Sequence, residues 1–349
     1  MKLGEEQINK LVGVCNGADT KSSIDAVRNV LFRCSNGILE AASTRLDQWT
    51  VYAVTQCDEW QQGLVDASHL SSLLNGKKMV DVSIHGNTML VDDGVVKSRL
   101  SYMDASGFPE QPLIKGEWDA VPEGFIDAVK QAKHYVSKDW SRGALCGVYM
   151  GDKAVAGTDG HRLCEIACNT PVQDCVMPVS LAWSIGYGAE RFMYSHKWLC
   201  FASADTTWMA KEIGQPYPDY TKGIPQDFRK IEMAPKAELL NALQGVSWVH
   251  GQSKLVKLTF DGDTLTVSRD DAGAESKSVV KLSNQVEKSE ENEESFDIGF
   301  NINYITQVIR DAAGENVIIN MNDEKAAVVV EGDEDEGVTM LIMPLRIFK

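Results

Sequence analysis

Hydrophobic positions along the chain switch between a helical and a strand-like period, and the switch recurs. Near the start, Ile8, Leu11, Val12 and Cys15 fall on one helical face, followed by strand-like Asn29–Cys34, the turn Ser35-Asn36-Gly37 and a second strand at Ile38–Ala41. The succession returns with Phe125, Ile126, Val129, Ala132 and Val136 at helical spacing, then Leu145–Met150, the turn Gly151-Asp152 and Ala154–Ala156. It returns again with Leu239, Ala242, Leu243 and Val246, then Leu255–Phe260, Asp261-Gly262-Asp263 and Thr264–Val267. Asn-Gly and Asp-Gly turns between alternating runs are hairpin signals, because their backbone suits the tight turns that match strand twist.

A shorter helix and more strands follow each of these segments. Val65–Leu74 resembles Phe300–Ile309, with a weaker middle copy near Pro178–Trp183. Strands are predicted at Val80–Ile84, Thr88–Val91 and Ser98–Met103, and again at Val317–Met321, Ala326–Val330 and Thr339–Met343. Phe108-Pro109, Tyr217-Pro218 and Met343-Pro344 recur roughly 110 to 125 residues apart, too far for a solenoid repeat, so each unit is domain-sized. The expected fold is α+β, with helices on one side of antiparallel sheets in three repeats, residues 1–113, 114–230 and 231–349. Pro112–Glu117 and Pro225–Lys230 read as extended linkers between them.

At 349 residues and 44% hydrophobic content, the chain can bury two or three cores. No window approaches the roughly 18 consecutive apolar residues of a membrane span, and Met1–Glu6 lacks the apolar core of a secretion signal, so a cytoplasmic protein with no membrane partner is expected. The net charge of −16 excludes a surface that coats nucleic acid throughout, but much of the acid lies in two runs, Glu287–Glu294 and Glu331–Glu336, which leaves room for a local basic face. Of the eight cysteines only Cys164, Cys168 and Cys175 cluster, with no Cys-x-x-Cys pair and no His at zinc spacing, so reduced thiols are expected and no metal or other cofactor.

Thr158-Asp159-Gly160-His161-Arg162-Leu163 and the C-terminal Met343-Pro344-Leu345-Arg346-Ile347 each set a polar turn or a Pro beside apolar residues and one Arg. Asp159 and His161 with a distant Ser would make an acid–base or nucleophilic site, but no Gly-rich phosphate loop, His-Glu-x-x-His or Gly-x-Ser-x-Gly accompanies them. Gly160 is better explained as a tight hairpin or pocket edge, and the reading is a binding pocket rather than an enzyme.

The three repeats, the hexapeptide Thr158–Leu163 in the middle copy and the ending Met343-Pro344-Leu345-Arg346 together resemble the bacterial DNA polymerase III beta subunit, the sliding clamp family. The resemblance covers nearly the whole chain, and Phe108-Pro109, Tyr217-Pro218-Asp219-Tyr220 and Phe300-Asn301-Ile302-Asn303-Tyr304 match further landmarks in order. It implies a non-catalytic processivity factor: a ring of two head-to-tail subunits, a homodimer, that encircles double-stranded DNA without reading its sequence. Implied partners are a DNA polymerase, a clamp loader and other proteins carrying clamp-binding motifs, roughly Gln-x-x-Leu-Phe. Cellular and phage or plasmid origins both remain open.

The resemblance further implies a peptide groove. Its wall would be Leu145, Thr158, Gly160, His161, Arg162, Leu163 and Pro218, with Asn301, Tyr304, Leu341, Ile342, Met343, Pro344, Leu345 and Arg346 from the third repeat, where Arg162, His161 and Asn301 would orient the peptide backbone. Charged residues on helix faces opposite the apolar stripe are candidate DNA-facing groups: Lys10, Lys77, Lys78, Lys130, Lys133, Lys138, Arg142 and Arg310, with Lys21 in a loop where the family has a basic contact. Gly223 stands where a branched apolar residue is usual five positions after Pro218, Lys325 replaces an apolar residue or Pro, and Phe348 and Lys349 extend the end. An acidic peptide-binding scaffold or decoy that keeps the fold without encircling DNA is the alternative.

Overall fold

The computed structural model describes residues 1–249, 253–271, 273–283 and 295–347. The acidic run Glu287–Glu294, Phe348 and Lys349 lie outside the described residues. Within the described residues, the order strand, helix, three strands occurs six times.

The first repeat contains β1 (Lys2–Gly4), α1 (Glu5–Asn16), β2 (Asn29–Ser35), β3 (Ile38–Thr44) and β4 (Gln48–Gln56). It continues with β5 (Gly63–Asp66), α2 (Ala67–Leu74), β6 (Met79–His85), β7 (Thr88–Asp92) and β8 (Lys97–Ser101). The second has β9 (Asp119–Ala120), α3 (Phe125–Ala132), β10 (Gly147–Met150), β11 (Ala154–Thr158) and β12 (Arg162–Ala167), then β13 (Cys175–Pro178), α4 (Val179–Ser184), β14 (Arg191–Ser195), β15 (Trp198–Ala202) and β16 (Thr206–Lys211). The third has β17 (Lys230–Pro235), α5 (Lys236–Val246), β18 (Leu255–Asp261), β19 (Thr264–Asp271) and β20 (Ala274–Lys281), followed by β21 (Phe296–Asn301), α6 (Ile302–Asp311), β22 (Asn316–Met321), β23 (Val328–Gly332) and β24 (Val338–Ile342).

Capping fixes several boundaries that periodicity leaves loose. Asp66 accepts a hydrogen bond from the His69 amide at 2.9 Å, so the helix anticipated from Val65 starts at Ala67 and Val65 completes a strand. The strand expected from Leu145 starts at Gly147, because Asp139 accepts from the Ser141 amide at 3.0 Å and opens a 3-10 turn, Trp140–Cys146. Asp323 accepts from the amides of Lys325 and Ala326, which delays the strand anticipated at Ala326 to Val328.

The chain forms two compact units, Met1–Ile126 with Met177–Ile213, and Asp127–Val176 with Gly214–Lys349. The first unit holds a four-stranded sheet, β1-β6-β7-β8, and an eight-stranded one, β5-β2-β3-β4-β16-β15-β14-β9. Helices α1 and α2 pack together on these sheets; Ile8, Leu11, Val14 and Cys15 of α1 recur every three or four residues and join Leu70, Leu74, Phe32 and Tyr52 in one core.

The second unit repeats the plan with a four-stranded sheet, β20-β19-β18-β21, and an eight-stranded sheet ordered β13-β10-β11-β12-β24-β23-β22-β17. Leu239, Leu243 and Val246 of α5 and Ile305, Val308 and Ile309 of α6 fill its core. Strand pairs among the described residues are antiparallel, β16 with β4, β12 with β24 and β23 with β24 among them, so neighbouring side chains along a strand alternate between the helix-covered face and the opposite face. No helix among the described residues is long and apolar enough to cross a membrane.

Candidate peptide groove and DNA-facing cations

The hexapeptide is a hairpin. Thr158 ends β11, Arg162 begins β12, and Gly160 between them has φ +80°, a left-handed conformation that favours Gly. Asp159 closes the turn: its Oδ1 accepts from the amides of His161 (2.9 Å) and Arg162 (3.1 Å), and its Oδ2 accepts from Arg162 Nε at 3.1 Å. Thr158 Oγ1 donates to the Arg162 carbonyl at 2.6 Å and accepts from the Gly160 amide at 3.0 Å. The Asp159 carboxylate is thereby committed to the turn, not poised against the His161 ring.

The second motif lies alongside. In register, Arg162 pairs with Ile342 and Leu163 with Leu341, so the hexapeptide strand and the end of the chain are hydrogen-bonded neighbours. Beyond β24 the Met343 amide donates to the His161 carbonyl at 2.8 Å, and the Leu345 amide donates to the Gly299 carbonyl of β21 at 2.7 Å. Gly299 is needed for this approach, since a Cβ there would lie 2.8 Å from the Leu345 carbonyl oxygen. The tail is thus pinned across the hairpin turn and the third repeat.

Strand alternation divides the expected groove residues between two faces. Leu163 and Leu341 meet Ala156 in a small apolar cluster, flanked by half-buried Tyr149, Tyr220, Ile224 and Ala327. Arg162 and Ile342 point the other way. Ile342 is fully buried in the core beneath α5 and α6, which corrects its expected place in the groove wall: with a period of two, it cannot share a face with Leu341.

Arg162 is 8% exposed, its guanidinium lying 5.0 Å from the Tyr135 ring centroid and 4.5 Å from that of Tyr304, with Nη2 donating to the His134 carbonyl at 2.6 Å. It holds the turn and Tyr304 in place, a different role from orienting a peptide backbone. Asn301 likewise caps α6, its side chain accepting from the Asn303 amide at 3.0 Å. The exposed groups at this end of the cluster are His161, whose ring centroid lies 6.4 Å from that of Tyr304, together with Met343, Leu345 and Arg346, beside half-buried Pro344.

An aromatic wall was not anticipated. Tyr149 and Tyr217 stack at 4.8 Å, Tyr220 packs edge-on against both, and the Tyr217 hydroxyl accepts from the Thr158 amide at 3.1 Å. Burial pushes the Tyr149 hydroxyl up to about 12, helped by its hydrogen bond to Asp174, and burial also lifts Tyr217 and Tyr220. All three hydroxyls stay protonated near neutral pH. The Tyr217-Pro218-Asp219-Tyr220 landmark carried this signal, since two tyrosines three apart flank the exposed Pro218. Leu145 is half-buried in the 3-10 turn. Gly223 has open space around it, and Ile224, one residue on, packs on the cluster in place of the missing branched side chain, while Lys325 is exposed and paired with Glu324 at 3.2 Å.

The candidate DNA-facing cations separate just as clearly. Lys133 is 8% exposed and its ammonium is held below its ordinary range by burial and then by Lys130, so it is not a surface contact. Lys10 is tied to Asp205 at 2.6 Å and Glu6 at 2.8 Å, Lys77 to Asp93 at 2.5 Å, and Lys130 to Asp127 at 2.9 Å. Arg142 Nη1 donates to the Asp159 carbonyl, which makes it a brace for the hairpin. Lys21, Lys78, Lys138 and Arg310 are exposed and have no ion-pair partner among the described residues. Among the described residues there is no group of three or more metal-ligating side chains.

Comparison with known proteins agrees with this architecture. Residues 221–346 match the family described as DNA polymerase III beta subunit, C-terminal domain. The beta sliding clamp of Rickettsia felis is 23% identical, and that of Vibrio cholerae 21%, each alignment covering 94% of both chains. Among solved structures, the Thermotoga maritima DNA polymerase III beta subunit superposes with a TM-score of 0.82 at 17% identity, covering 99% of both chains. A DnaN sliding clamp from Bartonella birtlesii bound to griselimycin superposes at 0.84 and 18% identity, again over 99% of both. Residues 221–346 are thus similar to the C-terminal domain of DNA polymerase III beta subunits, and the whole chain is similar in sequence and fold, end to end, to bacterial beta sliding clamps.

Proposed function

We propose that two copies of this chain close head to tail into a ring around duplex DNA, and that each carries one groove for short peptides of a polymerase, a clamp loader or other replication proteins. In this reading the chain is a non-catalytic cytoplasmic processivity factor whose repeats span residues 1–113, 114–230 and 231–349. The observation that carries it is the pairing of β12 with β24, which sets the hexapeptide and the C-terminal run side by side over one apolar cluster.

The sheet order supports ring closure. Each eight-stranded sheet joins the last strand of one repeat's first half to the last strand of the next repeat's second half, β4 to β16 and β12 to β24. By the same rule β20 of the third repeat seeks a β8, and β8 ends its four-stranded sheet in the first repeat. A second copy supplies both partners, turning two four-stranded sheets into one eight-stranded sheet at each interface, and these heterologous head-to-tail contacts close into a ring that leaves neither β8 nor β20 as an open edge.

The groove would seat apolar anchors of the Leu or Phe type on Leu163, Leu341 and Ile224, against the tyrosine wall, with Met343 adaptable at the rim. A ring retains DNA topologically, so it needs attraction without tight phosphate contacts. Lys21, Lys78, Lys138 and Arg310 fit that need in a chain of net charge −16.

The test is mass and retention. A ring has twice the 38.4 kDa of the chain, stays on circular DNA after loading and runs off linear ends. A 38.4 kDa species with no topological retention would return the reading to a peptide-binding scaffold.

A further inference from the structure

Cys34 lies one residue before the end of β2, and Cys57 directly follows β4. Strand β3 separates β2 from β4 in the sheet, yet the chain beyond β4 folds over the β2–β3 turn: the Cys57 amide donates to the Gly37 carbonyl at 2.9 Å. The Cys34 thiol lies 3.4 Å from the Cys57 carbonyl, and the Cys57 thiol donates to Cys34 Sγ at 2.7 Å. Both residues are half-buried. The remaining cysteines are less favourable: Cys15, Cys146, Cys164, Cys175 and Cys200 are buried, Cys168 is half-buried, and burial raises the thiols of Cys15, Cys164, Cys168 and Cys200.

We propose that Cys34 and Cys57 are an oxidisable pair that forms a reversible intramolecular disulfide when the protein meets a peroxide. Cys34 Sγ attacks one peroxide oxygen and breaks the O–O bond; the second oxygen leaves as water, and Cys34 becomes a sulfenic acid. Cys57 Sγ then displaces that hydroxyl, which departs as a second water with the Cys57 proton. Two thiols thus lose two electrons and two protons, and one peroxide is reduced to two waters. The Cys57 thiol donates to Cys34 Sγ and is lifted to about 11 by that bond, so Cys34, whose sulfur is the acceptor, is assigned the first attack.

The bond would tie the β2–β3 turn to the segment leading into β5. That segment is already anchored at its far end, where Trp60 Nε1 donates to the Tyr102 hydroxyl at 3.2 Å and that hydroxyl donates to the Gln61 carbonyl at 2.5 Å. Oxidation therefore closes a loop around β3 and β4 and restrains the unfolded chain, which stabilises the first unit.

The full chain is treated with hydrogen peroxide, free thiols are alkylated, and the protein is digested without reductant. Before alkylation the oxidised chain should be about 2 Da lighter than the reduced one; after digestion one cross-linked peptide pair should join Cys34 to Cys57, and both changes should revert with dithiothreitol. Cys34→Ser and Cys57→Ser each lose the cross-link, and the oxidised wild type melts several degrees above its reduced form while Cys34→Ser shows no such rise. A cross-link mapped to another pair, sulfinic or sulfonic acid at Cys34 without a cross-link, or both thiols alkylated after treatment would overturn the proposal, and each is read on the wild-type chain.

Discussion

Leu163 and Leu341 sit directly opposite one another on paired strands, one from the middle of the chain and one near its end, and both project into the same apolar cluster. Replacing Leu341 with Ala should weaken binding of a Gln-x-x-Leu-Phe peptide about tenfold or more, measured by fluorescence anisotropy. The same change at Ile342, behind the groove, should destabilise the fold by about 2–5 kcal/mol in urea melts and leave peptide affinity of the folded protein close to wild type. Equal effects on affinity at both positions would show that the two faces are misassigned.

Arg162 is the more sensitive residue for stability. Arg162→Ala strips the buried Asp159 of its cation and removes the slab between Tyr135 and Tyr304, so a loss of about 3–5 kcal/mol is expected in equilibrium unfolding. Arg162→Lys should recover little of it, because an ammonium cannot reproduce the planar donors and stacking.

Gly299→Ala should loosen the tail without unfolding the protein. The added methyl would meet the Leu345 carbonyl, so the hydrogen bond between residue 299 and Leu345 should lengthen or break. Faster amide exchange at Leu345 and weaker peptide binding, with melting little changed, are the expected signs.

Acid should act on the first unit through Asp205. Burial alone would raise this carboxyl, but hydrogen bonds from Lys10, Thr206 and Ser203 outweigh it and hold it below the usual range. A depressed folded value means stability that is present above the ordinary carboxyl value near 4 and is lost as pH falls through the folded one. Asp205→Asn should flatten that part of the stability–pH curve; an unchanged slope would remove Asp205 from the account.

For DNA, charge reversal at Lys138 and Arg310 together should shorten retention on circular DNA and make it less sensitive to salt, while peptide affinity stays the same. Reversal at Lys133 should instead unfold the protein, as a buried site would.

Repetition and topology were legible in the sequence because hydrophobic period and turn residues are local signals. Ile8, Leu11 and Cys15 announce α1, and Asn36-Gly37 announces the first hairpin. What periodicity could not assign was which side of a paired strand each groove residue occupies. Arg162 and Leu163 are adjacent in the motif and point to opposite faces, a distinction fixed only once β12 pairs with β24. The tyrosine wall escaped for a related reason: Tyr149 and Tyr217 meet through a fold-back that no local pattern encodes. Lys133 shares a helical spacing with Lys130, yet lies just past the end of α3, where the chain turns inward.

If two copies close as proposed, β8 and β20, which end their four-stranded sheets, would also determine how a lone subunit behaves before it meets its mate. Lys97, Arg99 and Ser101 make the exposed positions of β8 ionic or small and polar, and Glu275, Lys277 and Lys281 do the same along β20, where Val279 alone interrupts them. Indiscriminate stacking of such borders into fibrils is penalised by charge, while a border of matching length and pattern remains acceptable. Solubility in isolation and selectivity in assembly would then come from the same few side chains.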